Sequence, residues 1–206
     1  MNEISTKSGE ENKKCSKYLK SLLDLHIVDK EYPYGVEMER KGIYRLRDNL
    51  FRFWYRFIPK NVTAIESDLG KQVYTNRILQ GLPAYMGHIF KDACHEYLKR
   101  NNGKKSLPFM FDGVGRWWGT NPKTRSQEEI DILAYAGDKA IFGECKWLSA
   151  EIGLDVFIEL QRKSALFERY SDITYILFSK TGFHPSLKDQ VSSKQVKLVS
   201  LQELYG

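Results

Sequence analysis

Residues 128–147 read Glu128-Glu129-Ile130-Asp131-Ile132-Leu133-Ala134-Tyr135-Ala136-Gly137-Asp138-Lys139-Ala140-Ile141-Phe142-Gly143-Glu144-Cys145-Lys146-Trp147. Two apolar-rich runs flank Gly137-Asp138, a residue pair that signals a two-residue β-hairpin turn. With that loop Ala136 pairs with Lys139, Asp131 faces Glu144 and Glu129 faces Lys146. Side-chain alternation then places all four charged residues on one sheet face. Opposed β-carbons lie about 5 Å apart, close enough for two carboxylates to repel and cost stability. A divalent cation relieves this economically, because Mg²⁺ takes one or two carboxylates together with water and phosphate. A shared proton, a bulge that shifts the register, or screening by Glu129 and Lys146 would relieve it as well.

Upstream, Leu82 to Leu98 is an amphipathic helix with Tyr85, Ile89, Phe90, Ala93, Tyr97 and Leu98 on its apolar side and Pro83 tolerated in its first turn. Lys99 to Lys105 reads as a basic loop, Leu107 to Val114 as a strand ended by glycines, and Gly115 to Arg125 as a Trp-rich loop. Downstream come a helix near Leu154 to Arg169, a strand from Ile173 to Ser179, a helix from Pro185 and a strand from Val196 to Ser200. The order is αβββαβ, an α/β fold.

The chain has 206 residues, 42% hydrophobic and 28% charged, with a formal net charge of +6. These values belong to a globular protein and exclude disorder throughout. No apolar run reaches the roughly 20 residues of a membrane span, and the polar N-terminus lacks the apolar core of a signal peptide. A cytoplasmic location is expected, with Cys15, Cys94 and Cys145 reduced, since they are far apart and form no CxxC pair. Charge is uneven: residues 1–60 carry +4, 91–125 carry +5 and 126–206 carry −3. Two basic segments ahead of an acidic one suit contact with a polyanion plus a separate carboxylate-rich site.

Residues 1–14 are polar and read as a disordered tail. Tyr18, Leu19, Leu22, Leu23 and Leu25 form a short helix, and Ile27-Val28, the Gly35 turn and Ile43 to Arg47 form a hairpin whose basic tip holds Arg40 and Lys41. Helix plus hairpin is the second half of a winged helix, a packing element or a DNA-contacting one. The missing helices would leave Leu19, Leu22 and Leu23 uncovered, which predicts a homodimer or a protein partner at this segment. Farther on, Phe51, Trp54, Tyr55 and Ile58 fall at i, i+3, i+4 and i+7 and are expected to bury one helix face, with Arg52 and Arg56 on the other. The same stripe could stack on bases.

The block Tyr44-Arg-Leu-Arg-Asp-Asn-Leu-Phe-Arg-Phe-Trp-Tyr-Arg-Phe-Ile-Pro-Lys-Asn61 resembles the junction in a family of archaeal and bacterial P-loop ATPases, where a winged helix passes into a C-terminal domain of unknown function. The resemblance extends over about residues 15 to 206, through Trp117-Trp118-Gly119-Thr120-Asn121 and Gly143-Glu-Cys-Lys-Trp147, and it implies that the block is a packing linker. No GxxxxGK[ST] occurs, so the ATPase half is absent and a separately encoded P-loop ATPase is a candidate partner. The 128–147 arrangement is similar to the PD-(D/E)XK nuclease superfamily, whose motif carries over to Asp131, Glu144 and Lys146. That likeness implies a restriction-endonuclease-like domain over residues 62–206 behind a partial winged helix and linker helix at 15–61. It also implies Mg²⁺ or Mn²⁺ on Asp131 and Glu144, and Lys146 positioning or activating the attacking water.

One position departs from the pattern: the family's helix carries an acid after Gly-x-x-Phe, whereas Gly87-His-Ile-Phe-Lys-Asp92 has Lys91 there. An inward Lys91 would neutralise Asp131 and Glu144 without metal. Asp92 and Glu96 are substitute acids on rotated faces, and His88 and His95 are further candidates for phosphate or metal. For nucleic acid, Trp117 and Trp118 are candidates for stacking, Arg116, Lys123 and Arg125 for backbone phosphate, and Gln161 and Lys163 for the scissile phosphate. The expectation is a Mg²⁺-dependent phosphodiesterase acting on DNA, or a degenerate descendant of one. Its rival is a non-catalytic nucleic-acid-binding or docking module.

Overall fold

The computed structural model describes residues 2–35, 42–191 and 195–205. They divide into two compact units, residues 2–32 with 42–78 and residues 33–35 with 79–205. The division thus falls near residue 78, later in the chain than the 61/62 boundary read from the linker block.

The first unit is mostly helical. Its polar start, expected as a disordered tail, forms α1 (Asn2–Ser8) and the beginning of α2 (Asn12–Asp24). Each is braced at i,i+4 spacing, Lys7 to Glu3 at 2.7 Å and Lys14 to Glu10 at 2.8 Å. The expected hairpin is present: β1 (Val28–Glu31) pairs antiparallel with β2 (Ile43–Leu46), from Val28 opposite Leu46 to Glu31 opposite Ile43. Its basic tip at Arg40 and Lys41 lies outside the described residues. Leu19 is buried and Leu22 and Leu23 are half-buried, so the leucine face is not the open patch expected from the sequence.

Besides Tyr18, Leu25, Leu69 and Tyr74, exposed apolar side chains of this unit lie on α3 (Asn49–Phe57), which starts where the Asp48 carboxylate accepts the Phe51 N–H at 3.0 Å. The inward residue of α3 is Phe57, ring to ring with Phe53 at 5.1 Å, while Phe51, Trp54 and Tyr55 are exposed and Ile58 is half-buried. Arg52, assigned to the outer face, is half-buried and donates from Nε to the Leu46 carbonyl at 2.7 Å. With Phe51, Phe53, Trp54, Tyr55 and Phe57 in one short helix, periodicity offers two apolar faces and cannot select between them. Residues 59–81 then wind through short helical turns.

The second unit is a five-stranded sheet in the order β3-β4-β5-β6-β7, covered on both faces. α4 (Leu82–Asn101) leads to β3 (Val114–Thr120), β4 (Gln127–Ala136) and β5 (Lys139–Lys146), which are antiparallel. α5 (Leu154–Ser164) and α6 (Pro185–Val191) cross over to β6 (Asp172–Ser179) and β7 (Val196–Ser200), both parallel to β5, and α7 (Leu201–Tyr205) ends the chain. The fold is mixed α/β. The strand expected at Leu107 to Val114 is absent up to Val114; the first strand of this sheet is β3, which takes up part of the stretch read as a Trp-rich loop. Glycines at 113, 115 and 119 in this stretch suggested a loop, but Tyr34 and Trp117 lie over three of those positions and use the missing side chains as packing space.

Two apolar layers hold the sheet. Phe90, Cys94 and Leu98 of α4 pack with Ile132, Ala134, Ile141, Cys145, Ile176 and Phe178; Phe157 and Leu160 of α5 pack with Ile130, Leu133, Ala140, Phe142 and Leu177. Each fully buried side chain of this size contributes about 1.5–3 kcal/mol. Gly137, at φ 61°, makes the β4–β5 turn. Tyr34 joins this unit by donating its backbone N–H to the Arg116 carbonyl at 2.7 Å, with its ring 5.3 Å from Tyr135. Among the described residues no helix is long and apolar enough to cross a membrane.

Candidate functional site

The hairpin register is the one read from Gly137-Asp138: Ala136 opposite Lys139, then Tyr135–Ala140, Ala134–Ile141, Leu133–Phe142 and Ile132–Gly143. The regular pairing ends there, one step before Asp131 and Glu144. On the other side of β4, Gly115 pairs with Leu133 but Trp117 with Ile130, so Arg116 alone stands opposite Asp131 and Ile132. This is a β-bulge, which re-aims a side chain. Ile130 packs on the α5 side and Ile132 on the α4 side, and the Asp131 carboxylate between them reaches Lys91 of α4 and, through Oδ2, the Cys145 N–H at 3.0 Å. On β5, Phe142 lies on the α5 side and Cys145 on the α4 side, so alternation leaves Glu144 toward α5. The arrangement with all four charges on one face is therefore corrected: the bulge turns Asp131 toward α4 while Glu144 keeps the face of α5.

Lysines neutralise the carboxylates. Lys91 Nζ contacts Asp131 Oδ1 and lies 3.1 Å from Glu129 Oε1, with Arg116 Nη1 4.0 Å from the same oxygen. Lys146 Nζ donates to Glu144 Oε1 at 2.6 Å, and Lys163 Nζ of α5 lies 3.9 Å from Glu144 Oε2. Glu129 is thus held by Lys91 and Arg116 rather than facing Lys146. Asp131 and Glu144 are both buried, and Lys91 keeps 22% of its side chain exposed. Burial pushes the Lys91 ammonium down, but Asp131 and Glu129 outweigh it and lift it well above the ordinary lysine value. Lys146 follows the same pattern: burial lowers it, Glu144 and Asp131 raise it further, and the net shift is upward. A shift in this direction favours the ammonium form of both lysines. Glu144 itself is pushed up by burial and by the Asp131 charge, against the pull of Lys146 and Lys163.

His95, a candidate for phosphate or metal, reaches the backbone carbonyl of Asp131 with Nε2 at 2.8 Å. A carbonyl only accepts, so Nε2 carries the proton. Burial lowers the His95 pKa, so the ring is neutral at pH 7 and acts as a brace for the bulge. Its sequence signal was only its place one turn beyond Lys91 on α4. Glu96 pairs with Lys99 at 2.7 Å. Cys145 lies beside Cys94 in the core, and burial together with that thiol pushes it up, away from thiolate chemistry.

The residues expected to contact nucleic acid are scattered. Arg116, Trp117 and Trp118 are half-buried on β3, not on a loop. Trp117 packs edge-on against Phe167 at 4.9 Å, and the Arg116 guanidinium lies over Trp118 at 5.8 Å. Lys163 is drawn inward to Glu144 and Gln161 is half-buried on α5, whereas Lys123 and Arg125 are exposed on the β3–β4 loop.

The donor set decides whether Mg²⁺ or Mn²⁺ fits. Such an ion needs oxygen ligands free to turn toward one point. Both Asp131 oxygens and both Glu144 oxygens already face a lysine or an N–H, and the two carboxylates are drawn toward different helices. Among the described residues no group of three or more His, Cys, Asp and Glu side chains is placed to hold a metal ion. As placed, the residues do not fit a divalent cation.

Residues 54–164 match the DUF234 family, described as archaea bacterial proteins of unknown function. The chain belongs to this family. The chain is 30% identical over 171 residues, 81% of its length, to the uncharacterized protein MJECL04 of Methanocaldococcus jannaschii. The chain spans 37% of the length of that relative. Among solved structures it is similar to the protein of unknown function AF1548, with a TM-score of 0.42, 16% identity, and 56% of this chain and 64% of that one covered. It is also similar to protein VC1899 from Vibrio cholerae, with a TM-score of 0.43, 13% identity and coverages of 92% and 40%.

Proposed function

We propose that this DUF234 chain is a non-catalytic nucleic-acid-binding module, built on a restriction-endonuclease-like αβββαβ core whose carboxylate cluster is neutralised by lysines in place of a metal ion. The observation that carries the reading is Lys91, whose ammonium sits on Asp131 and Glu129 at the position where the nuclease-like pattern has an acid. Asp131, Glu144 and Lys146 keep the nuclease-like spacing, but Lys91, Lys146 and Lys163 match Glu129, Asp131 and Glu144 charge for charge. A bound divalent cation would have to displace an ammonium from a buried carboxylate, which costs several kcal/mol per stripped ion pair. Support for a polyanion as ligand comes from the net charge of +6 and its concentration in residues 1–60 and 91–125. Association with a P-loop ATPase, and a cytoplasmic setting, belong to the same proposal.

The test is fluorescence anisotropy with labelled DNA in EDTA and in Mg²⁺, followed by a denaturing gel of the recovered DNA. The expected result is binding with the same Kd in both buffers and DNA of unchanged length. Shortening of the DNA that requires Mg²⁺ and is abolished by Asp131→Ala would overturn the proposal in favour of a nuclease.

A further inference from the structure

The nine-residue helix α3 turns an aromatic arc outward, with Leu50 69%, Phe51 42%, Trp54 49% and Tyr55 67% exposed. Such a patch is expensive to leave in water, since each large apolar side chain forgoes its burial energy. The helix has another face for packing, made by Phe53 and Phe57, so the outward arc is not needed for its own fold. Its surroundings are basic: between Ile43 and Lys60 there are five cations, Arg45, Arg47, Arg52, Arg56 and Lys60, against the single anion Asp48. Arg45 pairs with Glu31 and Arg52 with the Leu46 carbonyl, whereas Arg47, Arg56 and Lys60 are exposed, the Arg56 guanidinium lying 5.5 Å from the Phe57 ring.

We infer that the outward face of α3 binds single-stranded nucleic acid, with Trp54 and Tyr55 stacking on unpaired bases and Arg47, Arg56 and Lys60 following the phosphates. Exposed flat rings interleaved with cations match a ligand that is itself a row of flat rings on an anionic backbone. A duplex buries its base faces in its own stack and offers nothing to Trp54 or Tyr55. A protein partner would have to be strongly acidic to offset the cations. The Phe51 and Tyr55 rings meet edge to face, 6.5 Å apart at 72°. The inference rests on the nucleic-acid-binding reading, but it names a surface in the other unit from the carboxylate cluster, and the two can fail separately.

The experiment titrates the intact chain into a fluorescein-labelled oligothymidylate of about 15 nucleotides, within the usual length range of such sites, and into a duplex of equal length. Trp54→Ala, Tyr55→Ala and Arg56→Gln are compared with wild type, with circular dichroism confirming the fold of each. Single strand should bind more tightly than duplex. Trp54→Ala and Tyr55→Ala should each weaken single-strand binding about tenfold or more, and Arg56→Gln should lessen its salt dependence. Tight DNA binding that is indifferent to Trp54 and Tyr55 would overturn this inference and leave the nucleic-acid reading standing. Absence of binding to either DNA would overturn both. A concentration-dependent increase in mass that Trp54→Ala removes would show a second copy on this face and overturn the inference.

Discussion

Replacing Lys91 by methionine keeps the length of the side chain and removes its charge, leaving Asp131, only 2% exposed, without its ammonium partner. Removing one member of a fully buried ion pair costs about 3–5 kcal/mol. Lys91 retains 22% exposure, so water can reach the gap, and Asp131 keeps the Cys145 N–H. The expected loss is therefore smaller, about 2–3 kcal/mol. For a chain of this size, that corresponds to a fall in Tm of roughly 5–10 °C. The assay is thermal unfolding by circular dichroism at pH 7 in EDTA, on Lys91→Met, Asp131→Asn and the double variant. Asparagine still accepts from Cys145 while removing the stranded charge, so the double variant should recover most of the loss. A Lys91→Met chain melting within a degree of wild type would refute the reasoning, as would a double variant no more stable than the single one.

Lys91→Glu should melt well below wild type in EDTA and regain stability on adding Mn²⁺, because it adds a carboxylate beside Asp131 and Glu129 and removes their shared ammonium, leaving Arg116 at Glu129; thermal melts with and without Mn²⁺ decide it. Glu144 has a folded pKa raised by burial and by Asp131, so its contribution to stability is complete in acid and is lost as pH rises from the ordinary carboxylate range through the raised value. Glu144→Gln should remove that slope, measurable as ΔG of urea unfolding between pH 4 and pH 7 (about the carboxylate range and just above it). His95 is shifted the other way, so its contribution is present above about pH 6.5 and is lost as pH falls below it. His95→Gln, which keeps a donor for the Asp131 carbonyl, should flatten this acid limb in the same measurements. Gly143→Ala should destabilise by about 1–3 kcal/mol, since its new methyl would stand 2.9 Å from the Ile132 Cβ and 3.1 Å from the Ile176 carbonyl.

The hairpin could be read from residues alone because Gly137-Asp138 fixes a two-residue loop and every pair after it follows by counting. The bulge could not. It arises where β3 and β4 slip by one residue at Arg116, and nothing in Glu128 to Leu133 marks which residue is doubled. The alternation argument therefore gave the right neighbours and the wrong face for Asp131. Lys91 was legible as an inward cation from its stripe on α4, since helical spacing survives intact over twenty residues. The third lysine, Lys163, was read as a phosphate contact because no local pattern ties α5 to β5; only the crossover places its Nζ near Glu144. On α3, an excess of aromatic residues hid the choice of inner face. At β3, glycines that serve close packing against Tyr34 and Trp117 read as loop formers.

The most direct test is calorimetric titration of Mg²⁺, and separately Mn²⁺, into the intact chain at pH 7.5 and low ionic strength, beside Asp131→Ala as control. A site already neutralised by Lys91, Lys146 and Lys163 predicts no binding heat for wild type at millimolar metal, with a trace that overlays the control. A saturable heat in wild type that Asp131→Ala abolishes would contradict the account, since it would show the carboxylates releasing their lysines for a metal ion.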